Sequence, residues 1–296
     1  KNAVLRSAPK ATRFLITGEN GTGKELIAHM VHRYSRFAEG PFVAVNCAAL
    51  PSELIEAELF GHTAGAFTGA RKSRTGFFVQ ASGGSIFLDE IGDMPPTAQA
   101  KILRVIESQK VTPVGSESPV DTRGNVIAAT NRDLAQLVQS GEFRQDLLYR
   151  LNVVQFDLPP LRERPEDIGL LARYFLSRFA AETKSPPREL SDSAVRRLTR
   201  YQFPGNTREL KNLMERVNIH TTTSRVDAAV IDALLPEDTA AQPANLRDAV
   251  DAFERDYIKA AISRNSGNMT DTARELGIER SHLYKKIKKL GLSTDA

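Results

Sequence analysis

Residues Gly18-Glu19-Asn20-Gly21-Thr22-Gly23-Lys24 spell G-x-x-x-x-G-K between a short apolar run, Arg13 to Thr17, and a helical pattern from Lys24 to Tyr34. Strand, glycine loop and helix in that order let backbone N–H groups curl around a β-phosphate, with the positive end of a helix dipole behind them. Lys24 can reach the β- and γ-phosphates. Glu25 follows, where the general motif has Ser or Thr to ligate magnesium, and Thr22 is not a simple substitute. The second half of such a site is an acidic pair at the end of a buried strand, and Ile86-Phe87-Leu88-Asp89-Glu90 supplies one. Asp89 would hold Mg2+, directly or through water, and Glu90 would act as general base on the attacking water. Adjacent acids are common on surfaces; the phosphate loop is what gives this pair its meaning. Asn131, after a further apolar run, can orient the γ-phosphate or the water, or simply cap the strand end. Charge building on a transferring phosphoryl group calls for arginines. Arg144, Arg150 and Arg208 are the candidates, although an arginine on a helix is by default a solvated one. ATP and Mg2+ are the implied ligands.

Two other stretches suggest partners. Gly65-Ala66-Phe67-Thr68-Gly69-Ala70 brackets a phenylalanine with glycines, giving a mobile loop that presents an aromatic anchor. Near the end, Asn268 to Ile278 and Ser281 to Leu290 read as two helices with Gly277 in the turn, which is helix-turn-helix spacing. Ala273, Leu276, Ile278, Leu283, Ile287 and Leu290 would face inward, leaving His282, Lys285 and Lys286 outward. Ser281, His282, Lys285 and Lys286 are candidates for groove and phosphate contacts, and Lys288 and Lys289 for the DNA backbone. From Arg280 to Leu290 there are five basic residues and no acidic one. A basic helix that binds protein is the alternative.

Something must hold these groups in place. Buried-strand patterns occur at Arg13–Thr17, Phe42–Asn46, Gly84–Asp89, Asn125–Thr130 and Val153–Leu158, with helical stretches at Ser52–Phe60, Thr97–Ser108 and Leu134–Leu151 between them. Short apolar strands alternating with helices predict a parallel sheet covered on both faces, an α/β core. After Pro159-Pro160 the strands stop. Pro165–Lys184, Ser191–Tyr201 and Asn206–Thr221 read as helices of a smaller domain, Pro236–Pro243 as a linker, and Leu246–Leu292 as an all-helical tail. The 296 residues suit two or three domains. With 41% apolar and 26% charged residues and no run of about eighteen apolar residues, the composition is that of a soluble globular protein without a membrane span. The single cysteine, Cys47, excludes an internal disulfide framework, fits a reducing cytoplasm, and reads as a packed thiol at a strand end. The chain starts at Lys1, close to its first strand, as expected of a fragment lacking its natural N-terminal region.

The chain resembles the sigma-54-dependent activators, the bacterial enhancer-binding proteins of the AAA+ class. The hexapeptide at 65–70, preceded by Glu58-Leu59-Phe60-Gly61-His62, reproduces that family's hallmark. The resemblance covers nearly the whole chain. It implies an AAA+ P-loop core at 1–160 with a parallel sheet, an α-helical lid at 161–235, a linker at 236–243 and a Fis-type helix-turn-helix domain at 244–296. Glu25 after Lys24 is usual in the family. Asn46 matches an asparagine that restrains the catalytic glutamate, Arg144 and Arg150 match arginine fingers acting in trans, and Arg208 matches a second sensor. Leu158 to Arg164 is the family's signature between subdomains, and Gly115 to Val120 would be a second pore loop. Phe67 and Thr68 would touch the sigma factor. The helix from Leu246 to Arg264 would pair two tails. The implied partners are sigma-54 RNA polymerase holoenzyme, enhancer DNA and further copies of the chain, from a dimer to a hexameric or heptameric ring. The implied setting is cytoplasmic, within two-component regulation. Two departures stand out: Thr63-Ala64 where the family has an acidic and a basic residue, and Phe203 in place of a tryptophan. A DNA-binding regulator without ATPase activity and a AAA+ remodeller outside transcription are the rival classes. The intact catalytic residues oppose the first, and the hexapeptide and tail oppose the second.

Overall fold

The computed structural model describes residues 2–67, 70–186, 188–221, 223–236 and, beyond them, 250, 253–254, 257–258, 261–262, 264–265 and 268–290, the side chains of 288–290 excepted. The chain forms two compact units, Lys1–Leu234 and Leu235–Ala296.

In the first unit, α1 (Asn2–Ser7) leads to β1 (Arg13–Thr17) and α2 (Lys24–Tyr34), and β2 (Phe42–Asn46) to α3 (Ile55–Phe60). Then come β3 (Ser85–Asp89), α4 (Pro96–Ser108), β4 (Asn125–Thr130), α5 (Leu134–Gln139), α6 (Gln145–Leu151) and β5 (Val154–Asp157). The five strands make one parallel sheet in the order β2-β3-β4-β1-β5. Alternate side chains feed opposite faces, as the pleat requires. Phe14, Ile16, Phe87, Ile127 and Ala129 pack with Val4, Ala28 and Val31 on one face. Leu15, Ile86, Leu88 and Ala128 pack with Leu59, Ile102, Leu137 and Leu147 on the other. Cys47 is buried there too, its thiol pushed up to about 12 by burial and by the carboxylates of Asp89, Asp93 and Glu90. The packed-thiol expectation therefore fits the structure.

The register places Thr17 beside Thr130 and Asp157, and Asn46 beside Asp89. Strand ends thus line up along the carboxyl edge of the sheet, where ligands of open α/β sheets bind.

The stretch expected as one helix, Leu134 to Leu151, is two. Gly141 adopts φ 79, and Glu142 and Phe143 both turn their N–H groups onto the Leu137 carbonyl. Phe143 is thereby buried in the core, a tertiary gain that overrides helical periodicity. The helix expected from Ser52 starts only at Ile55.

After the sheet come α7 (Pro165–Thr183), α8 (Asp192–Thr199), α9 (Asn206–His220) and α10 (Ala228–Leu234). Pro165 occupies the first turn of α7, where its missing N–H costs nothing. Ser191 caps α8 by accepting from Ala194 N–H at 3.2 Å. Phe203 is fully buried and lies edge-on to Tyr201.

The second unit contains α11 (Met269–Glu275) and α12 (Arg280–Leu290), with helical residues before them among 250–264. Asn268 caps α11, and Gly277, at φ 65, makes the turn between the two helices. Ile258, Ile262, Met269, Ala273, Leu283 and Ile287 form its core, with Leu276 and Ile278 against it. Beyond Pro236 the expected linker lies outside the described residues. Among the described residues no helix is long and apolar enough to cross a membrane.

Candidate functional site: a phosphate-binding cleft under a helical lid

The phosphate loop links β1 to α2 through three left-handed glycines, Gly18, Gly21 and Gly23, at φ 149, 80 and 105. Two of them are also pressed by neighbours. A Cβ on Gly18 would lie 2.8 Å from the Leu158 carbonyl oxygen, and one on Gly21 2.3 Å from that of Gly205. Only glycine fits. The Thr22 hydroxyl donates to the Glu19 carbonyl at 2.8 Å, so it braces the loop. Lys24 Nζ donates to the carbonyls of Gly18 and Glu19 at 2.9 and 3.4 Å and stands 3.6 Å from Glu90 Oε1.

Asp89 ends β3, and the backbone then turns sharply, with Glu90 itself at φ 53. That turn sends Glu90 sideways, where its Oε2 accepts the Asn131 backbone N–H at 3.2 Å. Burial raises the Asp89 carboxyl above its usual range, with the Glu90 charge adding to the rise and Lys24 opposing it. Two adjacent carboxylates beside one lysine favour a cation there. Among the described residues no cluster of three metal-ligating side chains exists. Magnesium needs no such cluster, because one or two carboxylates plus phosphate oxygens and water suffice. Asp89 fits that role.

Lys24, Asp89 and Glu90 line a cleft of about 460 Å3 together with Asn20, Gly21, Gly23, Glu25 and, from the lid, Phe175, Arg178, Thr207, Arg208 and Lys211. Its size suits a nucleotide. Arg208 also donates its backbone N–H to the Gly21 carbonyl at 3.3 Å. Arg178 and Lys211 went unremarked in the sequence, although Lys211 lies three residues after Arg208 on one helix face.

A second set of contacts fastens the lid to the loop. Arg162 forks onto both Glu19 oxygens at 2.8 and 2.6 Å, and Asn206 Nδ2 donates to Glu19 Oε2 and the Asn20 carbonyl, each at 3.0 Å. Asn206 is fully buried and also accepts the Leu161 N–H at 2.7 Å. The Arg162 bond, then the Asn206 bond, hold the Glu19 carboxyl down at about 2. Glu19, read from the sequence as part of the phosphate loop, directs its carboxylate to the lid.

Other expected residues sit apart. Asn46 Oδ1 accepts the Ala48 N–H at 3.0 Å, while the Glu90 contacts go to Lys24 and Asn131. Arg144 pairs with Asp146 at 2.6 Å and Arg150 with Glu107 at 3.0 Å, and neither lines the cleft. Arg150 instead lines a cavity with Thr12, Arg13 and Asn125, at the opposite ends of the strands.

The hexapeptide loop is built differently. Gly65 N–H donates to the Ala70 carbonyl at 2.8 Å and Ala70 N–H to that of Phe67 at 3.0 Å, closing its neck. Phe67 is exposed and meets the His62 ring edge-on at 5.0 Å. Thr63 N–H donates to the Val114 carbonyl at 3.0 Å, tying this loop to the segment before Gly115. Thr68 and Gly69 lie outside the described residues.

A family model described as the sigma-54 interaction domain matches residues 1–157, more than half of the chain. The chain belongs to the sigma-54 interaction domain family of transcriptional activators. Further along the chain, an AAA+ ATPase lid domain matches residues 162–247 and the Fis family of bacterial regulatory proteins residues 249–290. The chain is 45% identical to transcriptional regulatory protein ZraR of Klebsiella oxytoca over 97% of its own length and 65% of ZraR. It is 44% identical to the DNA-binding transcriptional regulator NtrC of Azospirillum brasilense, over 94% of this chain and 64% of NtrC. It thus spans about 65% of the length of the curated relatives it matches. A crystal structure of NtrX from Brucella abortus in complex with ATP superposes with a TM-score of 0.71 at 37% identity, over 98% of this chain and 66% of that one.

In the Fis-family tail, Ser281, His282 and Lys285 are exposed on α12. Lys286 departs from the expected outward set. It lies beside the buried Ile287 and pairs with Glu254 at 2.7 Å, at the margin of the core. Arg280, the first of the five basic residues, covers the Tyr284 ring at 5.7 Å on the exposed face, an aromatic that the sequence reading passed over. The side chains of Lys288 and Lys289 lie outside the described residues.

Proposed function

We propose that the chain is an ATP-hydrolysing activator that acts in the cytoplasm on sigma-54 RNA polymerase holoenzyme. In this reading residues 1–160 are the motor core, 161–235 the lid and 244–296 the DNA-binding domain. The observation that carries it is the convergence of Lys24, Asp89, Glu90 and Arg208 on one cleft at the carboxyl edge of the sheet. The gene-regulatory family of the chain supports the same reading.

The glycine loop and Lys24 hold the β- and γ-phosphates of ATP, and Asn131 and Arg208 flank the γ-phosphate. Glu90 takes the proton of the water that attacks the γ-phosphorus, and the bond to the ADP oxygen breaks. Mg2+ bound at Asp89 would supply charge neutralisation on the phosphates. Lys24, 3.6 Å from Glu90, stands ready to balance phosphate charge. Asn46 restrains Glu90 only if its side chain leaves Ala48. Arg144 and Arg150 lie outside their own cleft, paired with Asp146 and Glu107, and in this reading they exchange those partners to serve the cleft of the next copy in a ring of six or seven chains. The loop carrying Phe67 and Thr68 grips sigma-54, and hydrolysis moves it so that the closed promoter complex opens. Ser281, His282 and Lys285, with Lys288 and Lys289, hold enhancer DNA through the major groove and its phosphates.

Promoter melting tests this reading. With sigma-54 holoenzyme, a sigma-54 promoter and ATP, the parent chain opens the start site to a single-strand-specific reagent, whereas Glu90→Gln does not. Opening by Glu90→Gln at the parent rate would refute the motor role.

A further inference from the structure

Gln99, in the first turns of α4, is fully buried. A buried carboxamide must satisfy both its N–H groups and its oxygen or destabilise the fold. Here its Nε2 donates to the Met94 carbonyl at 2.7 Å and to the Glu142 carbonyl at 2.9 Å, while its Oε1 accepts the Arg144 backbone N–H at 2.8 Å. Met94 closes the turn that begins at Glu90, and Glu142 to Arg144 is the loop entering α6.

A second side chain joins the same two segments from outside. Arg132 follows Asn131, whose N–H holds Glu90. Its guanidinium donates to the Gly92 carbonyl and to Asp93 Oδ1, each at 3.2 Å, and to Glu142 Oε2 at 3.0 Å. The acidic turn and the Arg144 loop are therefore fastened by one buried and one exposed polar link. The carboxamide is flat and rigid, with every donor and acceptor engaged. A shift of Met94 must carry the amide, and with it the Arg144 backbone, or break a buried hydrogen bond.

We propose that Gln99 is a positioning residue that couples the acidic turn of one subunit's ATP site to Arg144, which that subunit lends to its neighbour's site. Arg132 strengthens the coupling. The proposal rests on the ring reading above. The state of the Glu90 turn in one cleft is thereby transmitted to the arginine of the next, and sites around the ring fire in a coordinated order.

The test compares the parent chain with Gln99→Met, which keeps the volume and removes the polar bonds, with Arg144→Ala, and with the double variant. Affinity for a fluorescent ATP analogue and hydrolysis at saturating ATP are both measured. Gln99→Met should lower kcat by about tenfold or more, since misplacing a catalytic group is costly, with analogue affinity unchanged within about twofold. The double variant should hydrolyse no slower than Arg144→Ala alone, because Gln99 acts through Arg144. Multiplied losses in the double variant, or a loss of analogue affinity in Gln99→Met, would overturn the coupling. Arg132→Met removes only the exposed link and decides the matter if Gln99→Met fails to fold. It should lose about threefold in kcat with affinity unchanged, and a parent-like rate would overturn the coupling. If Arg144→Ala itself hydrolyses like the parent, the ring reading is what fails, and the coupling falls with it.

Discussion

The phosphate loop and the hexapeptide loop are both set by glycines, yet the glycines do opposite work. Gly18 and Gly21 are surrounded: backbone oxygens of Leu158 and Gly205 occupy the space of a Cβ, and the lid is fastened through Glu19, Arg162 and Asn206. Gly65 is also left-handed, at φ 84, but nothing lies within 4 Å of where its Cβ would stand. The tight approaches to that loop come beside it, where a Cβ on Gly61 would meet the Arg74 carbonyl at 2.7 Å and one on Gly115 would meet Ala66 Cβ at 2.8 Å. Glycine at the first loop permits close approach, and Gly65 at the second serves only the left-handed backbone. The two loops also spring from different sheets, the phosphate loop from the five-stranded parallel sheet and the hexapeptide loop from the two-stranded ladder of Gly61–His62 with Arg74–Thr75.

The largest expected effect lies in the locked region. Glu90→Gln should lower hydrolysis by about 10²–10⁴-fold while ATP-analogue affinity is retained, measured by phosphate release and by titration. A variant as active as the parent would remove the general base from the locked cleft. The glycines sharpen the contrast next. Gly21→Ala adds a clash to a left-handed backbone, for a cost of about 1–3 kcal/mol, and should weaken analogue binding about tenfold. Gly65→Ala should cost about 1 kcal/mol in urea unfolding and leave nucleotide binding intact. Equal losses at both sites would abolish the distinction.

The lid latch has a pH signature. The folded Glu19 carboxyl titrates near 2, below its ordinary 4.5, so its stabilising contribution is complete above about pH 4.5 and disappears as pH falls toward 2. Glu19 is partly exposed, and solvent screening leaves about 1 kcal/mol. Glu19→Gln should therefore flatten the acid limb of unfolding free energy across that window; an unchanged limb would mean that the latch contributes nothing. The smallest effect belongs to the open tip. Phe67→Ala should change stability by about 0.5 kcal/mol or less and leave nucleotide affinity untouched, while binding to sigma-54 in a pull-down is lost. Loss of nucleotide affinity in that variant would show the two loops to be one unit.

Much of this was legible in the residues. The sheet strands and the cleft motifs follow from local signals: apolar runs of strand length, glycines before a lysine, acids at a strand end. What the sequence hid depends on distant partners. Gly141 and the burial of Phe143 break a helix that periodicity alone runs from Leu134 to Leu151. Glu19 belongs to a glycine motif, but its partners Arg162 and Asn206 come from the lid, far along the chain. Gln99 looks like an ordinary polar residue of an amphipathic helix until the Met94, Glu142 and Arg144 backbones close around it. In the tail, helical spacing placed Lys286 outward, and Glu254 on the preceding helical segment draws it in.

The central claim is that each cleft is completed by an arginine from another copy of the chain, and ATPase rate against protein concentration tests it most directly. The account predicts a rate per subunit that rises cooperatively with concentration and collapses in Arg144→Ala while the nucleotide still binds. A rate independent of concentration and indifferent to Arg144 would mean a self-contained site, and would contradict the ring.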